Sequence, residues 1–172
     1  EEEADTRNQF KAVKTASWDF ASQEIVEGEG SEPTEPDQGA LASSDLADVL
    51  GLESFDLKHT GHVGDEELKA WADSALQRSR FSKIKGRVKV KGRTSISPGD
   101  VIELAGVGDQ FNGNAYVVAV RQEMSNQSWN TNIEFGLDPE PYWEKGNHKN
   151  VGAAGLLPPV SGLQIGVVNA LE

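Results

Sequence analysis

Residues 98–137 read PGDVIELAGVGDQFNGNAYVVAVRQEMSNQSWNTNIEFGL, and this stretch decides the fold of the chain. It contains three β-like segments joined by two turn signals. The first segment, residues 101–105, follows a Ser-Pro-Gly-Asp turn in which proline presets φ and glycine accepts unusual dihedral angles. The second begins after Asn112-Gly113, the dipeptide best suited to a type I′ hairpin turn. The stretch therefore predicts an antiparallel meander.

The second and third segments differ in how their apolar residues are distributed. In the second, both faces are apolar, which predicts a central strand buried on both sides. Its apolar residues are Tyr116, Val117, Val118, Ala119 and Val120. In the third, apolar and polar residues alternate with a period of two, as in a sheet with one solvated face. The face predicted to be buried carries Trp129, Thr131, Ile133 and Phe135. These segments indicate an antiparallel sheet that closes partly into a β-barrel.

Composition and charge exclude several classes of function. The chain has 172 residues, a formal net charge of −12 and no cysteine. The negative charge argues against nucleic acid as a partner, because a phosphate backbone would be repelled. Without cysteine there is no disulfide framework, thiolate zinc site or cysteine nucleophile. We expect neither a membrane span nor a signal peptide. The only methionine is Met124, so we expect a fragment excised from a longer protein.

The first 39 residues are predicted to form an N-terminal hairpin followed by an acidic linker. Residues 10–26 are interpreted as a strand, a turn near residues 19–22 and a second strand. Residues 27–39, EGEGSEPTEPDQG, have no apolar side chain whose burial could offset the entropy of ordering, so they are expected to be a loop or linker. The acidic residues before the hairpin are expected to be frayed.

Two helices are predicted between the linker and the central stretch. The first is short, begins at a serine cap, Ser43 or Ser44, and ends at Gly51. Its apolar side consists of Leu46, Val49 and Leu50. The second, residues 65–82, is amphipathic, with acidic residues in its first turn and basic residues near its end, as the helix dipole favours. Its apolar positions are Leu68, Trp71, Ala72, Ala75 and Leu76. We expect this longer helix to lie against the antiparallel sheet.

One basic stripe interrupts the acidic sequence. In GRVKVK, residues 86–91, one face of a predicted strand carries Arg87, Lys89 and Lys91, and the other carries valines. One interpretation is a solvated strand face whose lysines discourage edge-to-edge pairing. The other is a contact with an acidic partner or a neighbouring subunit, because a local field opposite in sign to that of the whole chain can steer assembly. These three residues are our candidates for a subunit or tube contact.

Two loops contain residues that are typical of chemical sites. His59, His62 and Asp65 have a spacing that could supply three metal ligands, as a metal hydrolase would need. They lie in a glycine-rich loop without a metal-binding helix motif, however, which favours incidental histidines. The glycine-rich run at residues 106–113 lacks the Gly-Lys-Ser/Thr ending of a phosphate loop. It is predicted to be a hairpin loop.

Three aromatic residues support an alternative function. If Trp129, Tyr142 and Trp143 were exposed together, they would line the surface of a carbohydrate- or peptidoglycan-binding β-module. Trp129 alternates in phase with Ile133 and Phe135, however, which favours a place in the core. No nucleophile elbow is present. The sequence therefore predicts a protein that is not an enzyme, with no catalytic residue, cofactor or metal.

Several runs, taken in order, carry a resemblance to a known family. Residues 67–92, 97–124 and 128–140 read ELKAWADSALQRSRFSKIKGRVKVKG, SPGDVIELAGVGDQFNGNAYVVAVRQEM and SWNTNIEFGLDPE. With the earlier VKTASWDFASQEIVEGEG and SSDLADVLGL and the later GLLPPVSGLQIGVV, they resemble the hub region of the valine-glycine-repeat spike proteins (VgrG, Rhs element Vgr proteins) of type VI secretion systems. Those proteins are similar to the baseplate hub proteins of contractile phage tails. The resemblance spans about residues 10–168, and the sequence lacks the first part of the hub and nearly all of the OB-fold domain and needle.

The resemblance implies a domain organisation and a role. It implies an α+β, mostly β, phage tail hub-like fold, with an N-terminal hairpin and linker at residues 1–39 and a helix-plus-barrel hub domain at 40–137. A connector at 138–155 and the start of a truncated OB-fold domain at 156–172 complete the chain. The implied role is structural: a homotrimer that adapts a hexameric tube of Hcp-like subunits to a three-fold spike.

The resemblance also implies partners and a place of action. Baseplate components and effectors are its further partners. The protein would be assembled in the cytoplasm and then secreted as part of a contractile injection apparatus. The sequence leaves open whether that particle is a secretion system, a phage tail or a related injection particle.

Overall fold

The computed structural model describes residues 2–109, 111–141 and 145. Residues 1–139 form one compact unit, which contains all the helices and strands described below. Residues 140–172 form a second unit. The predictions for Tyr142, Trp143 and an OB-fold start at residues 156–172 lie outside the described residues.

The described part of the chain has an α+β, mostly β fold, as predicted. The strands are β1 (Glu2–Ala4), β2 (Ala12–Asp19), β3 (Glu24–Glu29), β4 (Ser54–His59), β5 (Ile84–Lys91), β6 (Val101–Leu104), β7 (Gly113–Met124) and β8 (Trp129–Phe135). The helices are α1 (Ser43–Leu50) and α2 (Asp65–Phe81). Five strands form an antiparallel sheet, in the order β1-β5-β8-β7-β6, that curls into a half-barrel. The other three form a small sheet in the order β3-β2-β4, in which β2 and β4 are parallel.

The central stretch folds as the predicted meander. β7 lies between β8 and β6, so the interpretation of the second segment as an internal strand is confirmed. Its predicted burial on both sides is wrong, because Val118, Ala119 and Val120 are only half-buried. The pairing of β7 with β8 places Val120 opposite Ile133 and is interrupted by a bulge between Val117 and Ala119. The core of the half-barrel consists of Ile84, Leu104, Ala115 and Phe135. Alternation along the strands is what directs these apolar residues to one side.

The hairpin between β6 and β7 is longer than the predicted type I′ turn. Gly113 has a positive φ of 124°, but Asn112 does not have a positive φ. Instead, the side-chain Oδ1 of Asn112 accepts a hydrogen bond from the main-chain N–H of Val107 (3.2 Å). Gly106 and Gly108 take the positive-φ positions of this loop. These two glycines therefore allow a longer loop than the two-residue turn that the Asn-Gly dipeptide predicts.

Trp129 is not a core residue, contrary to the expectation from alternation. Its side chain is 38% exposed, whereas the next three residues of the same face, Thr131, Ile133 and Phe135, are buried. Its indole N–H donates a hydrogen bond to Oε1 of Gln122 (2.9 Å). The ring lies so close to Gly92 that a Cβ added there would be 1.9 Å from it. Trp129 is the first residue of β8 and thus lies at the end of the hairpin, beyond the core.

α2 forms where it was predicted, but it packs on the small sheet and not mainly on the half-barrel. It contacts β2 and β3, and the shared core consists of Val13, Ala72 and Leu76. The approach is close because two glycines lie beneath the helix. A Cβ added at Gly28 would lie 3.1 Å from Cβ of Leu68, and one at Gly30 would lie 2.9 Å from the carbonyl oxygen of Ala72. Both glycines belong to the EGEG run that was predicted to be linker; β3 extends into that run.

α1 has the predicted extent but a different cap and a different buried side. Ala42 is the N-cap residue, and the carboxylate of Asp37 accepts a hydrogen bond from the main-chain N–H of Ser43 (2.6 Å). The residues buried on α1 are Ser43 and Ala47, whereas Val49 is 84% exposed. Of the predicted apolar side, Val49 and Leu50 are exposed and Leu46 is half-buried, so that side is not the buried face of the helix.

The N-terminus is paired, although it was expected to be frayed. Glu2 lies opposite Gly86 and Ala4 opposite Ile84, so β1 forms an edge of the half-barrel. Main-chain pairing of this kind uses N–H and C=O groups and does not require apolar side chains. An acidic composition therefore does not prevent these residues from forming a strand.

Residues 30–42, which we call the strap, bind the half-barrel. Gln38 is fully buried, and its Oε1 accepts a hydrogen bond from the main-chain N–H of Tyr116 (2.6 Å). The N–H of Gly39 donates to the carbonyl oxygen of Asn114 (2.8 Å). These contacts bring the strap alongside the first part of β7.

Two buried cations fix the strap to the end of α2. The ammonium of Lys83 lies 2.6 Å from Oδ1 of Asp37, and the guanidinium of Arg80 lies 2.5 Å from Oε1 of Glu32. The side chains of both cations are only 4% exposed. Burial lowers the pKa of Lys83, and the hydrogen bond to Asp37 opposes that shift. The acidic residues of the strap thus neutralise cations that would otherwise be buried without a partner.

Candidate interaction surfaces

The outward face of the half-barrel carries a ladder of polar residues across three neighbouring strands. In each row β5, β8 and β7 contribute one residue that points to the same side. The rows, which we call the charged ladder, are Arg87–Glu134–Ala119, Lys89–Asn132–Arg121 and Lys91–Asn130–Glu123. The four cationic side chains outnumber the two carboxylates, so this face has a formal net charge of +2 in a chain of −12.

Ion pairs within the charged ladder are exposed and therefore weak. Arg87 lies 2.9 Å from Glu134, and Glu123 lies 3.2 Å from Lys89 and 3.5 Å from Arg121. Exposed pairs of this kind typically contribute about 1 kcal/mol or less. Hydrogen bonding from Asn132 and then the charge of Lys89 lower the pKa of Glu123. Ion pairs of this strength can be exchanged for contacts with a partner.

A depression of about 340 Å³ lies within this face. The side chain of Ala119 is small and leaves space between its longer neighbours in the ladder. The polar residues that line the depression are Arg87, Lys89, Arg121, Glu123, Asn132 and Glu134. Its walls are therefore charged and its base is partly apolar.

The candidates Arg87, Lys89 and Lys91 lie together on this exposed face of β5. Their contribution to a subunit or tube contact stays a prediction. The sequence did not indicate that Arg121 or Glu123 belongs to the same face, because that depends on the register of β7 against β8. The period of two in each strand, combined with a correct hairpin register, is the signal that could have found them.

A second surface is formed by the hairpin of β2 and β3. Trp18 lies opposite Ile25 in the register, and both are on the side of the small sheet that faces away from α2. Trp18 is 45% exposed, Ile25 63% and the adjacent Phe20 72%. The edge of the Phe20 ring meets His62, with 6.1 Å between the ring centroids. We call Trp18, Phe20 and Ile25 the apolar tip.

The two histidines among the candidate metal ligands have other partners. Nδ1 of His59 lies 3.1 Å from the carbonyl oxygen of Gly61, and Nδ1 of His62 lies 3.6 Å from Oδ1 of Asp19. In residues 2–109, 111–141 and 145, no group of three or more His, Cys, Asp or Glu side chains is placed to hold a metal ion. Neither described helix is long and apolar enough to cross a membrane.

The aromatic residues of the sugar-binding alternative are tested only at Trp129. One side of its ring lies against Gly92, so the face that a sugar ring would stack on is partly covered. The other two aromatics, Tyr142 and Trp143, lie outside the described residues. The alternative stays a prediction.

Comparison with known proteins gives a family match and likenesses to solved structures. The family described as the Alg8 N-terminal domain matches residues 1–126. A comparison with curated proteins found no match. Among solved structures, a chain from the virion of a native gene transfer agent particle is 13% identical, with a TM-score of 0.38. The match covers 81% of this chain and 28% of that one, and at this TM-score it does not establish a shared fold.

Proposed function

We propose that this chain, which belongs to the Alg8 N-terminal domain family, is a structural subunit of a contractile tail-like particle and not an enzyme. In finer terms, it is a hub segment of a type VI secretion or contractile tail spike that adapts a hexameric tube to a trimeric spike. The observation that carries the proposal is the apolar tip, where three large apolar side chains are exposed on one hairpin.

Apolar exposure of this kind often marks a functional surface. The three side chains expose roughly 300 Å² of apolar surface, which is within the range in which the largest patch of a monomer is often functional. Trp in particular is enriched at the centres of protein interfaces. A subunit that becomes buried in a larger assembly has a reason to keep these side chains outside its own core.

The charged ladder supports the same role. Its net positive charge within an acidic chain gives two copies a face through which they attract each other, although the chains as wholes repel. The order of sequence runs that resembles the spike hubs supports the finer form of the proposal. In that form the partners are copies of the chain, Hcp-like tube subunits, baseplate components and effectors, and the assembled particle acts outside the cell.

The proposal is tested by the mass of the protein in solution. We would measure light scattering on this chain and on a longer chain that continues through an OB-fold and needle. We expect a trimer of the longer chain and a monomer or weak trimer of this chain, because contacts of modest area need multivalency. If both chains stay monomeric at the highest soluble concentration, the structural-hub function is wrong.

A further inference from the structure

From the two surfaces described above we infer that the apolar tip of one copy docks in the depression of the charged ladder of a second copy. The inference rests on the proposed function and specifies which faces of two subunits meet. The occupant of the depression is thus a hairpin of the same chain, with Trp18 at its centre.

The apolar tip is exposed at the end of a hairpin, as a group that enters a partner's pocket must be. Trp18 and its cross-strand neighbour Ile25 lie at the end of a two-stranded hairpin and are both about half exposed or more. Their side of the small sheet is not covered by α2, which packs on Val13 and the other side. Glu27 follows on the same side of β3 and makes no ion pair with any residue that the structure describes. The hairpin thus presents an indole ring, an aliphatic side chain and a carboxylate to a partner.

The depression has complementary properties. Pockets of about 300 Å³ and more accommodate small ligands, so 340 Å³ gives room for an indole ring. Three cations, Arg87, Lys89 and Arg121, line the space that is left open by Ala119. Cations placed over the face of an indole attract it, and the strength of that attraction increases once water is excluded. The same cations can pair with the carboxylate of Glu27.

Charge favours a second copy over other occupants. A nucleic acid would meet the carboxylates Glu123 and Glu134 in the ladder as well as a chain of net charge −12. A second copy is acidic overall and therefore attracted to the +2 face. Lys14 lies opposite Glu29 in the register of β2 and β3, so Glu27 is the carboxylate of this hairpin face that we expect to contribute most.

The contact is heterologous, because the tip and the ladder are different surfaces. Each copy then has one tip and one ladder available, and successive contacts close into a ring or continue as a filament. This geometry makes a mixing experiment decisive, since a defect in the tip and a defect in the ladder can complement each other.

Two variants test the inference. Trp18→Ala removes the tip, and Ala119→Phe fills the depression with an outward side chain. Trp71→Ala is the matched control, since Trp71 is 36% exposed on α2 and belongs to neither surface. Association would be measured by sedimentation of this chain over a series of concentrations, and the circular dichroism spectrum of each variant would show that it is folded. Each of the two variants should weaken association by at least about tenfold, as hot-spot truncations do, and Trp71→Ala should leave it unchanged.

Mixing the two variants gives the discriminating outcome. Trp18→Ala keeps an intact ladder and Ala119→Phe keeps an intact tip, so an equimolar mixture should form pairs and nothing larger. If the folded variants assemble like the wild type, the inference is wrong while the structural function stands. If Ala119→Phe fails to fold, Arg121→Glu takes its place in the mixture. If the wild-type chain does not associate at any concentration, the inference is wrong, whereas the proposed function is decided separately by the mass of the longer chain.

Discussion

The half-barrel and the small sheet are stabilised by different kinds of contact. The half-barrel has an apolar core around Leu104 and Phe135, formed by strands that are neighbours in sequence. In the small sheet, by contrast, β2 faces α2 with one buried apolar residue, Val13, and two buried polar residues. Oγ1 of Thr15 donates to the carbonyl oxygen of Leu68 (3.0 Å), and Oγ of Ser17 donates to that of Val63 (3.1 Å). Local alternation thus organises one region, and polar contacts between distant residues organise the other.

The difference shows why the strap is needed. A small three-stranded sheet with one helix has little apolar surface to bury, and units of this size bury a small fraction of their surface and are marginally stable by themselves. The strap connects the small sheet to the half-barrel in two ways. Gln38 of the strap accepts a hydrogen bond from the main chain of β7, and Asp37 of the strap forms an ion pair with Lys83. We therefore expect the two regions to unfold together.

Truncation of a core side chain in either region should have the largest effect on stability. Leu68→Ala below α2 and Ile133→Ala in the half-barrel each remove a side chain that is at most 2% exposed. We expect each to lower the free energy of unfolding by roughly 2–5 kcal/mol, from lost burial and the cavity left behind. Chemical denaturation followed by circular dichroism would show one transition for both variants. Two separate transitions would contradict the coupling through the strap.

Removal of the buried cation should have the next largest effect. Lys83→Met keeps the apolar stem but deprives Asp37 and the carbonyl oxygen of Leu41 of their donor. Because Asp37 is 38% exposed and water can partly replace the ammonium, we expect a loss of about 1–3 kcal/mol. Lys69→Met is the matched control: Lys69 pairs with Asp73 at 3.3 Å but is 52% exposed, so its loss should be below about 0.5 kcal/mol. Equal losses for the two variants would show that the strap contact is no stronger than a surface pair.

Two glycine-to-alanine substitutions compare a clash with the main chain and a clash with a movable side chain. A Cβ at Gly28 would be 2.7 Å from Oγ1 of Thr15 and 3.2 Å from the main chain of Leu68, whereas a Cβ at Gly92 would meet only the ring of Trp129 among its three nearest atoms. The exposed ring can rotate away, but the helix backbone cannot. We expect Gly28→Ala to cost about 1–3 kcal/mol by overpacking and Gly92→Ala to cost less.

The readout for Gly92→Ala is a shift in tryptophan fluorescence, because Trp129 would become more exposed. Thermal unfolding of both variants supplies the comparison of stability. A larger loss of stability for Gly92→Ala than for Gly28→Ala would reverse this order and indicate that Trp129 is held more rigidly than its 38% exposure suggests.

The smallest expected effect is the change that salt causes in the pKa values of two carboxyl groups, Asp37 and Glu123. Burial by itself would raise the pKa of Asp37, but hydrogen bonds from Lys83 and Ser43 outweigh it and lower the pKa. The pKa of Glu123 is also lowered, first by Asn132 and then by Lys89. A carboxyl group with a lowered pKa stabilises the fold above its ordinary pKa, and that contribution is lost as the pH falls through the lowered value.

Carboxyl NMR titrations at low and high salt would test this difference. Salt should move the pKa of exposed Glu123 towards its ordinary value, because screening weakens the pull of Lys89. The pKa of Asp37 should change less, since Lys83 is buried. Equal shifts at the two sites would contradict a protected strap contact.

Much of the secondary structure followed from the sequence alone. The meander of β6, β7 and β8, the hairpin of β2 and β3, and the two helices were all predicted, because period, turn residues and helix ends are local properties. Strands β1 and β4 have no such pattern in the sequence, because they form through main-chain pairing with β5 and β2. The candidate surface was found in part: the stripe from Arg87 to Lys91 was read from alternation, but the rest of the charged ladder was not.

Which surfaces meet was decided only in the tertiary structure. The sequence determined that residues 65–81 form an amphipathic helix, but the glycines at 28 and 30 decided that it packs on the small sheet. It determined an acidic strap, but the buried positions of Arg80 and Lys83 decided that the strap is fixed. A periodic pattern states which side of an element is apolar. It does not specify the partner, because partner choice depends on shape and charge that distant residues create together.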